Sequence, residues 1–158
     1  MISKLVLIRH GEPQPRRLGE TDAERPLTTR GLKALKREYP ALLAPLAGDL
    51  KELQIWSSEA LRASQTAEVV CDALGVDRDE IDYHVSLYAQ DYDFFYGELM
   101  AAEGVVVAVG HIPFMEEVAC DLAGQLMSFT PGSIACLTVP DARLERAEIE
   151  WFARGPQA

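Results

Sequence analysis

Apolar residues run without polar interruption at two places in this chain, and both runs end in a histidine. Leu5-Val6-Leu7-Ile8 leads into Arg9-His10-Gly11, and Val105-Val106-Val107-Ala108-Val109 leads into Gly110-His111-Ile112-Pro113. A strand without period-two alternation is one buried on both faces of a sheet. A third stretch, Leu53-Gln54-Ile55-Trp56, predicts another strand and ends in Ser57-Ser58. Helical spacing follows it. Ala63, Ala67, Val70 and Leu74 share one face of a helix from about Ala60 to Leu74, stopped by Gly75.

The remaining pattern fills the gaps between these strands. Leu32, Leu35 and Leu42-Leu43 predict a helix capped by Thr28 or Thr29, with a kink or break near Tyr39 because Pro40 follows. Ile81 to Val85 predicts a short strand carrying His84, which reads as structural or surface. Residues 86–93 predict a loop with Asp91 and Asp93, and Asp93 to Ala102 a helix capped by Gly104. Met115, Val118, Ala119 and Leu122 predict a helix directly after Pro113, with Gly124 at its C-terminal turn. Gly132 to Val139 and Ala147 to Phe152 read as two further strands joined near Pro140-Asp141. Strands alternating with helices predict an α/β fold: a mostly parallel central sheet with helices on both faces, in one domain over residues 1–158. The polar segment Glu12 to Pro26, with three prolines and no hydrophobic period, predicts a long loop, and loops of that length are often functional.

Composition narrows the class of protein. No apolar run approaches the ~20 residues of a membrane span, and the N-terminal strand turns polar too soon for a signal peptide. Cys71, Cys120 and Cys136 are an odd number without metal-site spacing, which predicts free thiols in a reducing cytoplasm. A net charge of −10 argues against a nucleic-acid partner. The charge is uneven. Residues 1–62 carry 11 Lys/Arg against 8 Asp/Glu, and residues 63–158 carry 4 against 17. An anionic ligand would therefore find its cations in the first part of the chain.

The candidate chemistry lies at the strand ends, where open α/β sheets bind ligands. A rigid strand places His10 well as a nucleophile, with Arg9 beside it. Arg62 falls in the first turn of a helix, where free N–H groups and a planar guanidinium both suit phosphate oxygens. His111 repeats the arrangement of His10. Arg16 and Arg17 in the long loop are further candidates for binding substrate. No carboxylate-rich or His-x-x-x-His grouping predicts a metal site, and no cofactor is expected.

Together these residues resemble the histidine phosphatase superfamily, the phosphoglycerate-mutase-like proteins. The matches are Arg9-His10-Gly11, Ser57-Ser58-x-x-x-Arg62-Ala63-x-Gln65-Thr66-Ala67 and Gly110-His111, in the family's order over most of the chain. Arg25-Pro26-Leu27-Thr28-x-x-Gly31 and the ending GSIACLTV…IEWF are most similar to SixA-like phosphohistidine phosphatases. The resemblance implies that His10 takes the phosphoryl group, that Arg9, Arg62 and His111 bind its oxygens without a metal, and that Ser57 bonds to His10 or the phosphate. Sugar-phosphate members carry a Leu-x-Glu glutamate that protonates the leaving alkoxide. The corresponding tripeptide here is Leu87-Tyr88-Ala89, so that glutamate is missing, and Asp91 is the nearby acid available in its place. The expected function is a metal-independent phosphatase acting on a phosphohistidine-bearing signalling protein. The alternatives are a phosphatase of small phosphorylated metabolites and a non-catalytic phosphate- or phosphoprotein-binding module on the same fold.

Overall fold

The computed structural model describes residues 1–141 and 144–158. Six strands form one sheet: β1 (Ile2–Arg9), β2 (Leu53–Ser57), β3 (Ile81–Tyr83), β4 (Gly104–Gly110), β5 (Ile134–Thr138) and β6 (Glu148–Ala153), in the order β3-β2-β4-β1-β5-β6. The pairings β3–β2, β2–β4 and β4–β1 are parallel, whereas β5 and β6 are added antiparallel at one edge. The expected mostly parallel sheet is thus present. Five helices accompany it: α1 (Thr29–Leu42), α2 (Leu61–Leu74), α3 (Val85–Ala89), α4 (Tyr92–Ala101) and α5 (Phe114–Ala123).

The uninterrupted apolar runs are read alternately by the two faces. Val6, Ile8, Ile55, Val105, Val107 and Val109 pack with Leu35 and Tyr39 of α1 and with Ala63, Ala67, Val70 and Leu74 of α2. Leu5, Leu7, Trp56, Val106 and Ala108 pack on the other side with Phe95 and Leu99 of α4 and with Phe114, Met115, Val118 and Leu122 of α5. Successive side chains of a strand point to opposite faces, so a strand between two helix layers needs apolar residues at every position.

Several expectations are corrected. Helix α1 does not break at Tyr39 but runs through Pro40 to Leu42. An internal proline costs a helix about 3 kcal/mol. Here Leu35, Tyr39 and Leu43 are all buried, and the Tyr39 hydroxyl donates to the Gly132 carbonyl at 2.8 Å, so tertiary packing holds the helix past the missing N–H. Val85 is not the end of β3 but the start of α3, which occupies part of the expected 86–93 loop. The segment 12–26 is more ordered than a structureless loop. Pro13 bridges Leu27, the Gln14 N–H donates to the Pro26 carbonyl at 2.8 Å, and Asp22–Glu24 form a 3-10 turn. The turn expected at Pro140-Asp141 runs into residues 142 and 143, which lie outside the described residues.

Register positions the site. Arg9 lies opposite Gly110, and Ser57 opposite Val109, so β1, β4 and β2 end side by side. Backbone bonds continue one step beyond the strands, with His10 N–H donating to the Gly110 carbonyl at 3.0 Å and Ser58 N–H to the Val109 carbonyl at 2.9 Å.

Candidate active site

His10 sits at the floor of a cleft of about 400 Å³ lined by Arg9, His10, Asp22, Arg25, Arg62, Tyr88, Gln90 and His111, among others. Its ring is 5% exposed. Nδ1 lies 2.7 Å from the Gly11 carbonyl oxygen, which only accepts, so the ring proton resides on Nδ1 and Nε2 keeps its lone pair. The chain passes tightly here: a Cβ on Gly11 would come 2.8 Å from Leu35 Cδ1, so glycine leaves that side chain its room. The Gly11 N–H donates to Thr66 Oγ1 at 3.1 Å, which ties the turn to α2.

His111 faces His10, with ring centroids 5.2 Å apart. Its Nε2 is 2.8 Å from Ser58 Oγ, and its Nδ1 is 3.5 Å from Arg62 Nη2. Burial pushes the His10 imidazole down to about 3. The Gly11 hydrogen bond opposes this, while His111, Arg62 and Arg9 add to it. Burial and then the Arg62 cation bring His111 down to about 4, with Asp22 opposing. Both rings are therefore neutral at pH 7.

The cations converge on the same space. Arg9 is the last residue of β1, and its Nη1 donates to the Phe129 carbonyl at 2.8 Å. Arg62, in the first turn of α2 and 5% exposed, donates from Nη1 to the Asp22 carbonyl at 2.7 Å and from Nη2 to Asp22 Oδ2 at 3.0 Å. Among the described residues, the Nε atoms of Arg9, Arg25 and Arg62 are buried with no hydrogen-bond partner. Arg25 Nε lies 3.2 Å from Asp22 Oδ1, near enough for an ion pair but not aligned for a hydrogen bond. Buried donors of this kind are costly unless a ligand satisfies them. All three belong to arginines that line the one cleft. Among the described residues, no group of three or more His, Cys, Asp or Glu is arranged to hold a metal ion.

The structure thus brings together Arg9, His10, Arg62 and His111, and separates the other candidates from them. The Ser57 hydroxyl is fully buried and donates to the Ser58 carbonyl at 2.8 Å, so it faces neither His10 nor the cleft; Ser58, its neighbour, is the serine that meets His111. Arg16 and Arg17 are exposed and bonded within their own loop, to the Glu20 carbonyl and to Gln14 Oε1 respectively. Asp91 is the N-cap of α4, accepting from the Phe94 N–H at 3.1 Å, and is not part of the cleft lining. His84 stacks on Trp56 at 4.1 Å and bonds to Glu98, a structural placement as expected. The sequence reading missed Asp22, Arg25, Ser58, Tyr88 and Gln90. For Asp22 and Arg25 no periodic signal existed, because their loop is irregular.

A mostly parallel sheet with helices on both faces and a histidine at each of two adjacent strand ends is the phosphoglycerate-mutase-like fold. The chain belongs to the histidine phosphatase superfamily (branch 1), whose family model matches residues 5–94, and it is a phosphatase of that superfamily. Among solved structures it is similar to the protein histidine phosphatase SixA complexed with tungstate, at 25% identity and a TM-score of 0.76, covering 96% of each chain. It is also similar to the protein assigned as phosphohistidine phosphatase SixA from Nakamurella multipartitia, at 26% identity and 0.74, covering 99% of this chain and 97% of that one. A mycobacterial glucosyl-3-phosphoglycerate phosphatase shares the fold at 17% identity and 0.65, covering 94% and 97%. No curated protein matches the chain. No helix among the described residues is long and apolar enough to cross a membrane.

Proposed function

We propose that this chain is a metal-independent phosphohistidine phosphatase that removes phosphate from a phosphohistidine-bearing signalling protein in the cytoplasm. The observation that carries the reading is the tautomer of His10. Its Nδ1 proton is committed to the Gly11 carbonyl, so the neutral Nε2 keeps its lone pair, in a residue that lines one cleft with Arg9, Arg25 and Arg62. Phosphoryl transfer asks mainly for positioning and for neutralisation of the equatorial oxygens; Arg9 and Arg62 supply the positive charge, and the neutral His111 ring opposite His10 helps position the group.

The chemistry runs in two displacements. His10 Nε2 forms a bond to phosphorus as the substrate P–N bond breaks, and the electron pair of that bond returns to the leaving imidazole. Water then attacks phosphorus, the bond to His10 breaks with its pair returning to Nε2, and the water's proton passes to phosphate or solvent. Imidazole leaves as a neutral base when its other ring nitrogen is protonated, and histidine titrates near ~6.5. An alkoxide leaving group needs a proton donor, and general acid catalysis is typically worth ~10²–10⁴-fold. Position 89 is alanine and Asp91 caps a helix, so neither supplies one. The similarity to two SixA structures supports the same substrate class.

The test compares turnover of a phosphohistidine protein with a panel of sugar phosphates, with and without EDTA. The expected result is a preference of at least ~10²-fold for phosphohistidine, no effect of EDTA, and an acid-labile phosphoenzyme lost in His10→Ala. Comparable efficiency on a sugar phosphate, a label on His111 or a Mg²⁺-restored loss would overturn the reading.

A further inference from the structure

The sequence offers no carboxylate at the position where ester-cleaving relatives hold one, yet the cleft contains one from elsewhere. Asp22, from the 12–26 loop, lines the same space as His10. Its side chain is 45% exposed, whereas His10 is 5% exposed. His10 is therefore at the floor and Asp22 at the mouth. In an in-line displacement the leaving group lies opposite the nucleophile, which here is the mouth side.

The two carboxylate oxygens differ. Oδ2 accepts from Arg62 Nη2 and from the Tyr88 hydroxyl, both at 3.0 Å. Among the described residues Oδ1 accepts no aligned hydrogen bond, having only the Arg25 Nε ion pair at 3.2 Å. Partial burial would raise this carboxyl, but the hydrogen bonds from Arg62 and Tyr88 outweigh it and hold Asp22 below the usual carboxylate range. Asp22 is thus an anion at neutral pH. An anion at the mouth of a phosphate pocket repels a phosphoryl dianion and cannot protonate an alkoxide. It does favour a leaving group that is cationic and presents an N–H.

We propose that Asp22 is the specificity-determining residue of this site: its Oδ1 accepts the ring N–H of a protonated N-phosphoimidazole as the ring departs, selecting phosphohistidine over phosphate esters. This rests on the reading given under Proposed function. The step balances without proton transfer. The His10 Nε2–P bond forms, the substrate P–N bond breaks, its electron pair neutralises the imidazolium, and the N–H held by Asp22 leaves with the ring.

The experiment measures kcat/KM of wild type, Asp22→Asn and Asp22→Ala on phosphoimidazole and on p-nitrophenyl phosphate, neither of which needs a strong acid. Asn keeps an acceptor but loses the charge, and charge-assisted hydrogen bonds are about twice as strong as neutral ones. The expected result is that the ratio of phosphoimidazole to ester efficiency falls by about tenfold or more in Asp22→Asn and further in Asp22→Ala. A parallel loss on both substrates would mean that Asp22 only holds Arg62, which overturns this inference and leaves the broader reading standing. Tungstate inhibition of each variant reports whether Arg62 is still in place: intact inhibition with an unchanged ratio also overturns the inference. A wild type that hydrolyses p-nitrophenyl phosphate but not phosphoimidazole refutes the broader reading, and this inference with it.

Discussion

Two neutral histidines in one buried cluster make acid a specific threat to this fold. His10 is held at about 3 and His111 at about 4, both first by burial; His111, Arg62 and Arg9 add to it at His10, and Arg62 at His111. In the unfolded chain each would titrate near ~6.5. A depressed folded value means that stability is intact above the unfolded value and is lost as pH falls from there toward the folded one, because only the unfolded chain takes up the proton. The slope is about 1.4 kcal/mol per pH unit for each group. Between pH 7 and pH 5 each histidine then removes close to 2 kcal/mol, and the pair about 4 kcal/mol. That is a large part of the ~5–15 kcal/mol typical of a domain. The measurement is urea unfolding at pH 7 and pH 5, in buffer free of phosphate and other oxyanions, for wild type, His10→Asn, His111→Asn and the double variant. Carboxylates are ionised in both states over most of this interval, so the single variants should each lose about 2 kcal/mol less on acidification than wild type does. The double variant should be nearly flat apart from terms common to all four proteins. If it loses as much as wild type, the two rings are not buried neutral, and the assignment of a free lone pair to His10 at neutral pH fails with it.

Two further outcomes follow from the same geometry. Arg62→Lys replaces a buried fork with a point charge and removes the Nε donor; losing one charge-assisted hydrogen bond at about 1.5–3 kcal/mol should lower kcat/KM roughly 10- to 150-fold, and a loss under threefold would show that the fork is not used. Asp91→Asn should barely change turnover of a phosphohistidine protein, while Asp91→Ala should cost roughly 0.5–2 kcal/mol of stability by uncapping α4; a collapse of activity in Asp91→Asn would show that this carboxylate reaches the substrate after all.

How much of this was legible in the sequence depends on how each residue is held. His10 and His111 follow strands whose apolar runs are unmistakable, and strand-end residues inherit their position from the sheet. Arg62 was legible because the spacing of Ala63, Ala67, Val70 and Leu74 fixes where its helix begins. The charge asymmetry also pointed the right way, since Arg9, Arg25 and Arg62 all come from the first 62 residues. Ser57 was expected at the site, but its hydroxyl bonds to the Ser58 carbonyl, and it is Ser58, just past the end of β2, that meets His111. Asp22, Arg25 and Tyr88 were missed for a different reason. Their positions depend on long-range hydrogen bonds, such as Tyr88 to Asp22, between irregular segments that leave no periodic trace. Pro40 misled because local propensity gave way to packing.

The sheet order has a consequence for the time at which activity can appear. β1 and β2 carry His10 and lead into Arg62, yet they do not touch, because β4 lies between them. Until β4 is available, β1 has no parallel neighbour and β2 has only the three-residue β3. On a ribosome His10 emerges about a hundred residues before His111, roughly 5–20 s at ordinary elongation rates of ~5–20 residues per second. During that interval the apolar β1 lacks its parallel neighbour, β2 has only β3, and the cleft is not yet assembled. The newborn chain therefore has no assembled cleft until the strand at the centre of its sheet has been made and inserted.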